Sequence, residues 1–394
     1  MMSSTNSARS QKAIADTYTR LPVTLVRGEG CRVWDDKGRE YLDFVSGIAV
    51  CSLGHCHPGV TEAVIRQAGT LVHVSNLYWT RPQQDLAVLL TENSFADRVF
   101  FCNSGAESVE AALKLARRYG HDTRGADCYE VICLENSFHG RTLATLTATG
   151  QSIYQQGFEP LPAGFVHVPP DNVSALERAA GPRTAAILLE PIQGEGGVVP
   201  IDDGFLRAAR EICDRLGALL MFDEVQVGVG RTGSLFAYEQ TPVVPDVLCL
   251  AKALANGFPI GAMLAREDVM SHLKPGTHAS TFGGNPVVCS AAKVVIETLT
   301  SPGFLDGVRR TGAYLRQRLE ALAAGHPEKI RAVRGRGLIQ AVELAEPSPD
   351  FAVRLIEEGF LVLVSHGTTV RLVPPLIVTE AEIDALVAAL DRLV

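Results

Sequence analysis

Short apolar runs that each stop at a polar or charged residue recur through the middle of the chain, separated by stretches whose apolar positions follow a helical period. RVFFCN, YEVICL, FVHV, AAILLE and ALLMFDE are too short for helices and predict buried strands, the last ending in Asp223 and Glu224. PDVLCL predicts a further strand from Val247 to Leu250, followed by Lys252 and a glycine-rich turn. Between the strands, helical patterns run from Gly105 and from Asp203 to Leu216. Upstream, Pro58 opens a helical pattern through Gly69 and Pro82 opens another through Asn93. The alternation predicts an α/β fold, a doubly wound, mostly parallel sheet flanked by helices over residues of about 60 to 290.

The flanks have a different texture. Arg32–Asp35 and Glu40–Asp43 flank Asp36, Lys37 and Gly38 and predict a strand pair with a turn between them. Beyond Pro286, helices are expected at Val287–Leu299 and Phe304–Ala324, then short strands at Gly337–Glu343, Leu361–Val364 and Val370–Val373. A closing helix starts at Thr379, with Glu382 completing a capping box. The expected division is a flexible tail at 1–12, a segment at 13–59 packed on the small domain, a large α/β domain at 60–290 and a small α+β domain at 291–394.

Composition narrows the function classes. The 394 residues carry a net charge of −8 without a dense basic run, so neither nucleic acid nor an anionic membrane meets an attracting surface. No uninterrupted apolar run approaches membrane-spanning length, and the polar start MMSSTNSARSQK lacks the apolar core of a signal peptide. Nine scattered cysteines, several inside strand-like runs, suit buried small hydrophobes in a reducing compartment, so a cytoplasmic small-molecule enzyme is expected.

Candidate chemistry gathers where strands end, because open α/β sheets bind ligands outside the carboxyl ends of their strands. Asp223 and Lys252 follow two such strands, and a lysine with an anionic partner suits pyridoxal phosphate chemistry. Ser104, Gly105 and Ala106 lie between a strand and a helix, with Ser104 and Glu107 spaced as a capping box, so an anion can rest on the open amides of that helix start. ENSFHGRT puts Phe138, His139 and Arg141 at the same edge: an aromatic suited to stacking on a flat ring and a guanidinium suited to a carboxylate. Glu195 lies in the glycine-rich EPIQGEGG, and HASTFGGNP offers the hydroxyls of Ser280 and Thr281. Two patterns are decoys. GVGRTG matches a dinucleotide fingerprint but is followed by SLFAYEQTP rather than by the required helix. Cys51, His55, Cys56 and His57 lack a second ligand pair at zinc spacing and run into the Pro58 helix start, so no metal site is assigned.

From about Ala13 to the end, the blocks VSGIAVCSLGHCHP, FCNSGAES, NSFHGRT, EPIQGEGG, FDEVQVGVGRTG, AKALANGFPIGAM, STFGGNP and VRLVPPL appear in order. Together they resemble the class III aminotransferases of pyridoxal-phosphate fold type I, and within them the acetylornithine aminotransferases. The resemblance implies pyridoxal 5'-phosphate linked to Lys252, with Asp223 paired to its ring nitrogen. It further implies Gln226 near the ring hydroxyl beside Val225, Phe138 stacked on the ring, and Ser104, Gly105 and Ala106 around the phosphate. Thr281 is implied to reach the phosphate of the other subunit of an obligate homodimer whose active sites lie at the interface. For the substrates it implies Arg141 and Ser280 on the amino donor, Arg371 on an α-carboxylate and Glu195 paired with Arg371 when an ω-amine is bound. Ala106 stands where threonine is common, Asn256 in a turn that is usually all glycine, and Ser365 and His366 depart from an asparagine-containing form. The implied reaction moves the δ-amino group of N2-acetylornithine to 2-oxoglutarate, in arginine biosynthesis. The alternatives are succinylornithine, free ornithine or a diaminopimelate or lysine-pathway amine as donor, an aminomutase on the same scaffold, and a nicotinamide oxidoreductase built on GVGRTG.

Overall fold

The computed structural model describes residues 13–394; the tail expected at 1–12 lies outside them. In chain order the strands are β1 (Leu25–Glu29), β2 (Arg32–Asp35), β3 (Glu40–Asp43), β4 (Arg98–Cys102), β5 (Glu130–Leu134), β6 (Phe165–Val168), β7 (Thr184–Leu189), β8 (Ile192–Gln193) and β9 (Val199–Pro200). They continue as β10 (Leu219–Asp223), β11 (Val247–Leu250), β12 (Gly261–Ala265), β13 (Ile330–Arg336), β14 (Ile339–Leu344), β15 (Phe360–Leu361), β16 (Leu363–Ser365) and β17 (Thr369–Leu372).

The central sheet has seven strands in the order β4-β12-β11-β10-β7-β5-β6. Its strands are parallel except β12, which runs antiparallel to both β11 and β4. Alternation explains why these segments read as unbroken apolar runs. Ile132, Leu134, Ile187, Leu189, Leu220 and Phe222 pack into one core, whereas Val131, Cys133, Ala186, Leu188, Leu219 and Met221 pack into another. Helices covering both faces leave no side of the sheet for polar residues. The helix Gly105–Arg124 lies on the second core and Asp203–Leu216 on the first.

Two smaller sheets stand apart. One has the order β1-β2-β3-β15, so the early hairpin takes a late strand, β15, parallel onto its edge. The other, β13-β14-β17-β16, is antiparallel and places Arg371 on β17, next to Ala341 on β14. The helices Pro286–Leu299 and Phe304–Gly325 start and end within a residue or so of their expected bounds. At Thr379 both halves of the capping box form. At Ser104 only one does: its hydroxyl accepts from Glu107 N–H, while Glu107 turns back to Asn103 N–H at 2.7 Å.

β1, β8, β9, β12 and β13 extend the expected set of strands, and the run Leu361–Val364 divides between β15 and β16. The β13 sequence IRAVRGR carries three arginines, so its apolar alternation is too weak to stand out, and its partner β14 supplies the register. No single helix among the described residues is long and apolar enough to cross a membrane.

Candidate active site

The carboxyl ends of β4, β5, β7, β10 and β11 open on one cavity of about 570 Å³. Its walls include Ser104, Gly105, Ala106, Phe138, His139, Arg141, Glu190, Asp223, Val225, Gln226 and Lys252. Nine of the residues given a role from sequence thus meet in one space, though they span about 150 positions of the chain.

Asp223 closes β10 and is buried. Its Oδ1 accepts the Val225 N–H at 3.0 Å, and its Oδ2 lies 2.9 Å from Nδ1 of His139, a side chain sealed from solvent. Strand alternation sorts the two adjacent acids, because successive side chains point to opposite faces. Asp223 faces the cavity, while Glu224 turns to the opposite side and takes the N–H groups of Ala237 and Tyr238. Burial pushes the Glu224 carboxyl up to about 8.

Lys252 follows β11 with a left-handed backbone, φ +43°, a conformation that a side chain with a Cβ rarely adopts without surrounding packing to hold it. Burial holds its amine below the ordinary lysine range, and Arg371 adds to that, against the opposing carboxylates of Glu195, Asp223 and Glu190. A lysine with a raised neutral fraction in a cavity is a competent nucleophile and proton carrier. Four residues on, Asn256 is also left-handed, which asparagine tolerates. Its amide accepts from Leu53 N–H at 2.8 Å and donates to Gly54 O at 2.9 Å, so a side chain here fastens the Lys252 turn to the amino-terminal segment.

The helix Gly105–Arg124 begins on the same cavity. Ser104 Oγ takes only the third amide of that helix, which leaves the Gly105 and Ala106 N–H groups without an acceptor inside the helix. A Cβ on Gly105 would meet Val225 Cγ1 at 2.7 Å, so only glycine lets the helix start approach this closely. Phe138 lines the same cavity, its ring edge-on to Tyr154, and the Arg141 guanidinium lies 3.9 Å from the Tyr154 centroid and 5.3 Å from that of Phe138. Arg141 has no carboxylate within salt-bridge distance among the described residues. Open helix amides, a buried carboxylate, an aromatic ring and a lysine without a salt-bridge partner among the described residues line one cavity and fit a phosphorylated pyridine aldehyde.

A second cluster adjoins the first. Arg371 is buried, and its Nη1 donates to Glu195 Oε1 at 2.7 Å and to Gln226 Oε1 at 3.1 Å. The Gln226 amide donates in turn to Glu195 Oε1 at 3.1 Å. Burial drives the Glu195 carboxyl up, but the adjacent Arg371 guanidinium, with help from Lys252 and Gln226, brings it below the ordinary carboxylate range. His366 Nε2 lies 3.0 Å from the Glu195 carbonyl, so the β16–β17 turn also touches this loop.

Ser280 and Thr281 do not line the cavity. Ser280 Oγ accepts from Asn103 Nδ2 at 3.2 Å at its rim, and Thr281 lines a separate small cleft with His73 and Asn76. GVGRTG is a loop buried along its whole length. Its Arg231 is fully buried and donates to Leu338 O at 3.1 Å, to Pro374 O and to Ser52 Oγ at 3.3 Å, which makes the loop a joint between chain segments. His55 pairs with Asp43 at 2.7 Å and His57 accepts the Val60 N–H, so both imidazoles of the histidine-rich turn serve the local structure. Two participants carried no assigned role from sequence, His139 and Glu190. Glu190 had the same signal as Asp223, an acid ending an apolar run, whereas the partner of His139 is set only by how two loops meet.

The family model for aminotransferase class-III matches residues 13–394. The chain is 51% identical to the acetylornithine aminotransferase of Caldanaerobacter subterraneus over 97% of both chains, and 52% identical to that of Thermosynechococcus vestitus over 97% of this chain and 95% of that protein. Among solved structures it is similar to the ornithine aminotransferase of Toxoplasma gondii, with a TM-score of 0.94 and 37% identity over 98% of this chain and 93% of that one. It is also similar to the acetylornithine aminotransferase of Elizabethkingia anophelis, with a TM-score of 0.87 and 34% identity over 98% of this chain and 97% of that one. A cavity built around one lysine and one buried carboxylate, on a chain matched from end to end of its described length, places the protein in the class-III aminotransferases, pyridoxal-phosphate-dependent transferases of amino groups.

Proposed function

We propose that this enzyme moves the δ-amino group of N2-acetylornithine to 2-oxoglutarate, giving N-acetylglutamate 5-semialdehyde and glutamate, a step of arginine biosynthesis in the cytoplasm. The observation that carries the reading is the Arg371–Glu195–Gln226 cluster beside Lys252. A site that takes two acids of different length needs one cation whose charge can be cancelled for the first and released for the second.

Pyridoxal phosphate, when bound, supplies an electrophilic carbon that takes the amino group and a pyridinium ring that absorbs the electron pair left at the donor carbon. Gly105 and Ala106 offer backbone amides to its phosphate, Phe138 a face to its ring, Gln226 an amide to its hydroxyl and Asp223 a carboxylate that keeps its nitrogen protonated. Lys252 carries the cofactor and then, as a free amine, moves the proton off the donor carbon. With Glu195 held on Arg371, Arg141 and Ser280 take the carboxylate of the ω-amino donor. With Glu195 withdrawn, Arg371 takes the α-carboxylate of glutamate.

A homodimer belongs to this reading. Leu77, Tyr78, Trp79 and Phe282 expose large apolar side chains, Leu77 and Trp79 at 83% and 84%, and Phe282 directly follows Thr281. A contiguous patch of this kind marks a protein interface, and it would bring Thr281 to the phosphate of a partner's site. The division into a lobe of residues 60–290 and a second lobe of 13–59 with 291–394 is supported by the pairing of β15 with β3.

A second reading, free ornithine as donor, is favoured by the likeness to the ornithine aminotransferase structure, and the higher identity to acetylornithine aminotransferases favours the first. The test is a half-reaction panel with N-acetylornithine, N-succinylornithine, ornithine and diaminopimelate, followed by bleaching of the visible band of the cofactor. N-Acetylornithine is expected to give the highest rate per unit concentration; a tenfold preference for another amine, about 1.4 kcal/mol, would replace the assignment.

A further inference from the structure

Glu190 follows the all-buried strand β7 and is itself buried, with no lysine or arginine within salt-bridge distance among the described residues. Both carboxylate oxygens are used. Oε2 accepts the Phe138 N–H at 3.0 Å and Oε1 accepts the Gly194 N–H at 3.3 Å. One side chain thus ties together the loop of the cavity aromatic and the loop of Glu195. Gly194 is pressed so tightly against Gln226 that a Cβ would lie 2.2 Å from its Oε1, and Gln226 in turn holds both Glu195 and Arg371. A movement at Gly194 is therefore a movement at Glu195.

We propose that Glu190 is a positioning residue for the choice between the two acids: as a carboxylate it clamps Gly194 and so keeps Glu195 on Arg371, and when protonated it lets the clamp go. The inference rests on the two-acid reading given above and adds the group that governs it. The chemistry is that of a two-fold acceptor. As a carboxylate it offers each N–H an oxygen that shares the negative charge, whereas a carboxylic acid carries its proton on one oxygen, loses that charge and becomes the weaker acceptor. The longer contact, to Gly194, is the one that yields.

Burial drives this carboxyl up to about 7, opposed by His139 and by the two amides and assisted by Asp223. The other charged or titratable groups that face it or its loop are Lys252 across the cavity, and Glu195, Arg371 and His366 beyond Gly194. The clamp is closed on the alkaline side of that value and open on the acid side. Selectivity for the ω-amino donor over glutamate is thus expected to fall as pH drops through it.

The experiment compares wild type with Glu190→Gln and His366→Gln, roughly one pH unit either side of neutrality. In cofactor-free protein, hydrogen exchange of the peptide spanning 190–198, corrected for intrinsic rates, is expected to show about tenfold less protection on the acid side in wild type. Glu190→Gln, whose amide opposes one N–H with another, is expected to show the low value at both pH values, and His366→Gln to keep the step. In the loaded enzyme, the ratio of kcat/KM for N-acetylornithine to that for glutamate is expected to fall about three- to tenfold in wild type and to stay at the low value in Glu190→Gln. Wild-type protection in Glu190→Gln, or a pH-independent ratio in wild type, overturns the proposal. If Glu190→Gln does not fold, the wild-type exchange step decides, and its absence is a refutation. Failure of wild type to use N-acetylornithine at either pH sinks the substrate assignment instead, while the exchange data still judge the clamp.

Discussion

His139 Nδ1 and Asp223 Oδ2 lie 2.9 Å apart, and His139 Nε2 meets no second partner among the described residues. A ring nitrogen that donates from Nδ1 holds the carboxylate in one orientation, and His139 thereby aims Asp223. His139→Ala is expected to weaken pyridoxal phosphate binding by about tenfold, the equivalent of one hydrogen bond to a charged group. His139→Asn, whose amide can donate from near the Nδ1 position, is expected to recover most of it. Absorbance titration of the cofactor-free variants checks both, and equal affinities for all three proteins would remove His139 from the site.

Glu195→Ala removes the carboxylate from Arg371 and leaves that guanidinium, among the described residues, only the Gln226 amide. Glutamate and other α-amino donors are expected to gain on N-acetylornithine by roughly ten- to a hundredfold in kcat/KM, the worth of a charge-assisted pair. Unchanged donor selectivity in steady-state assays would exclude the switch.

Arg231 satisfies two carbonyls and a hydroxyl from three separate segments. Arg231→Met keeps much of the volume but strands those acceptors, and a loss of about 3 kcal/mol or more is expected, seen as a fall of several degrees in thermal midpoint. Arg231→Lys is expected to recover little, since one ammonium cannot reproduce the planar fork. A midpoint within a degree of wild type for either variant would mean that the joint does not depend on this side chain.

Trp79→Glu places a charge in the exposed apolar patch. Sedimentation is expected to show the wild type as a dimer and the variant shifted towards monomer, because burying an unpaired carboxylate costs several kcal/mol. A wild type that sediments as a monomer at assay concentrations would refute the interface.

The strands and principal helices were legible because a sheet covered on both faces leaves no polar positions: AAILLE and ALLMFD had no other way to fold. Lys252 and Asp223 were legible for a related reason, since a charged residue at or just beyond the end of such a run stands near the ligand-binding edge, although alternation turned Glu224 to the other side. The three-arginine strand β13 was not, because its pairing with β14 supplies what its own pattern lacks. Nor was the true task of GVGRTG, whose arginine finds its acceptors more than a hundred residues away at Leu338 and Pro374.

Local pattern by itself determined which segments became strands and helices and which loops would stand at the carboxyl edge, because periodicity and chain stiffness act over a few residues. Tertiary structure alone decided which of those loops touch. It paired His139 with Asp223, set Glu190 between Phe138 and Gly194, and brought Arg371 from the far end of the chain onto Glu195. Those choices depend on distances fixed by packing of the whole sheet, and a side chain's neighbours in space are not written in its neighbours along the chain.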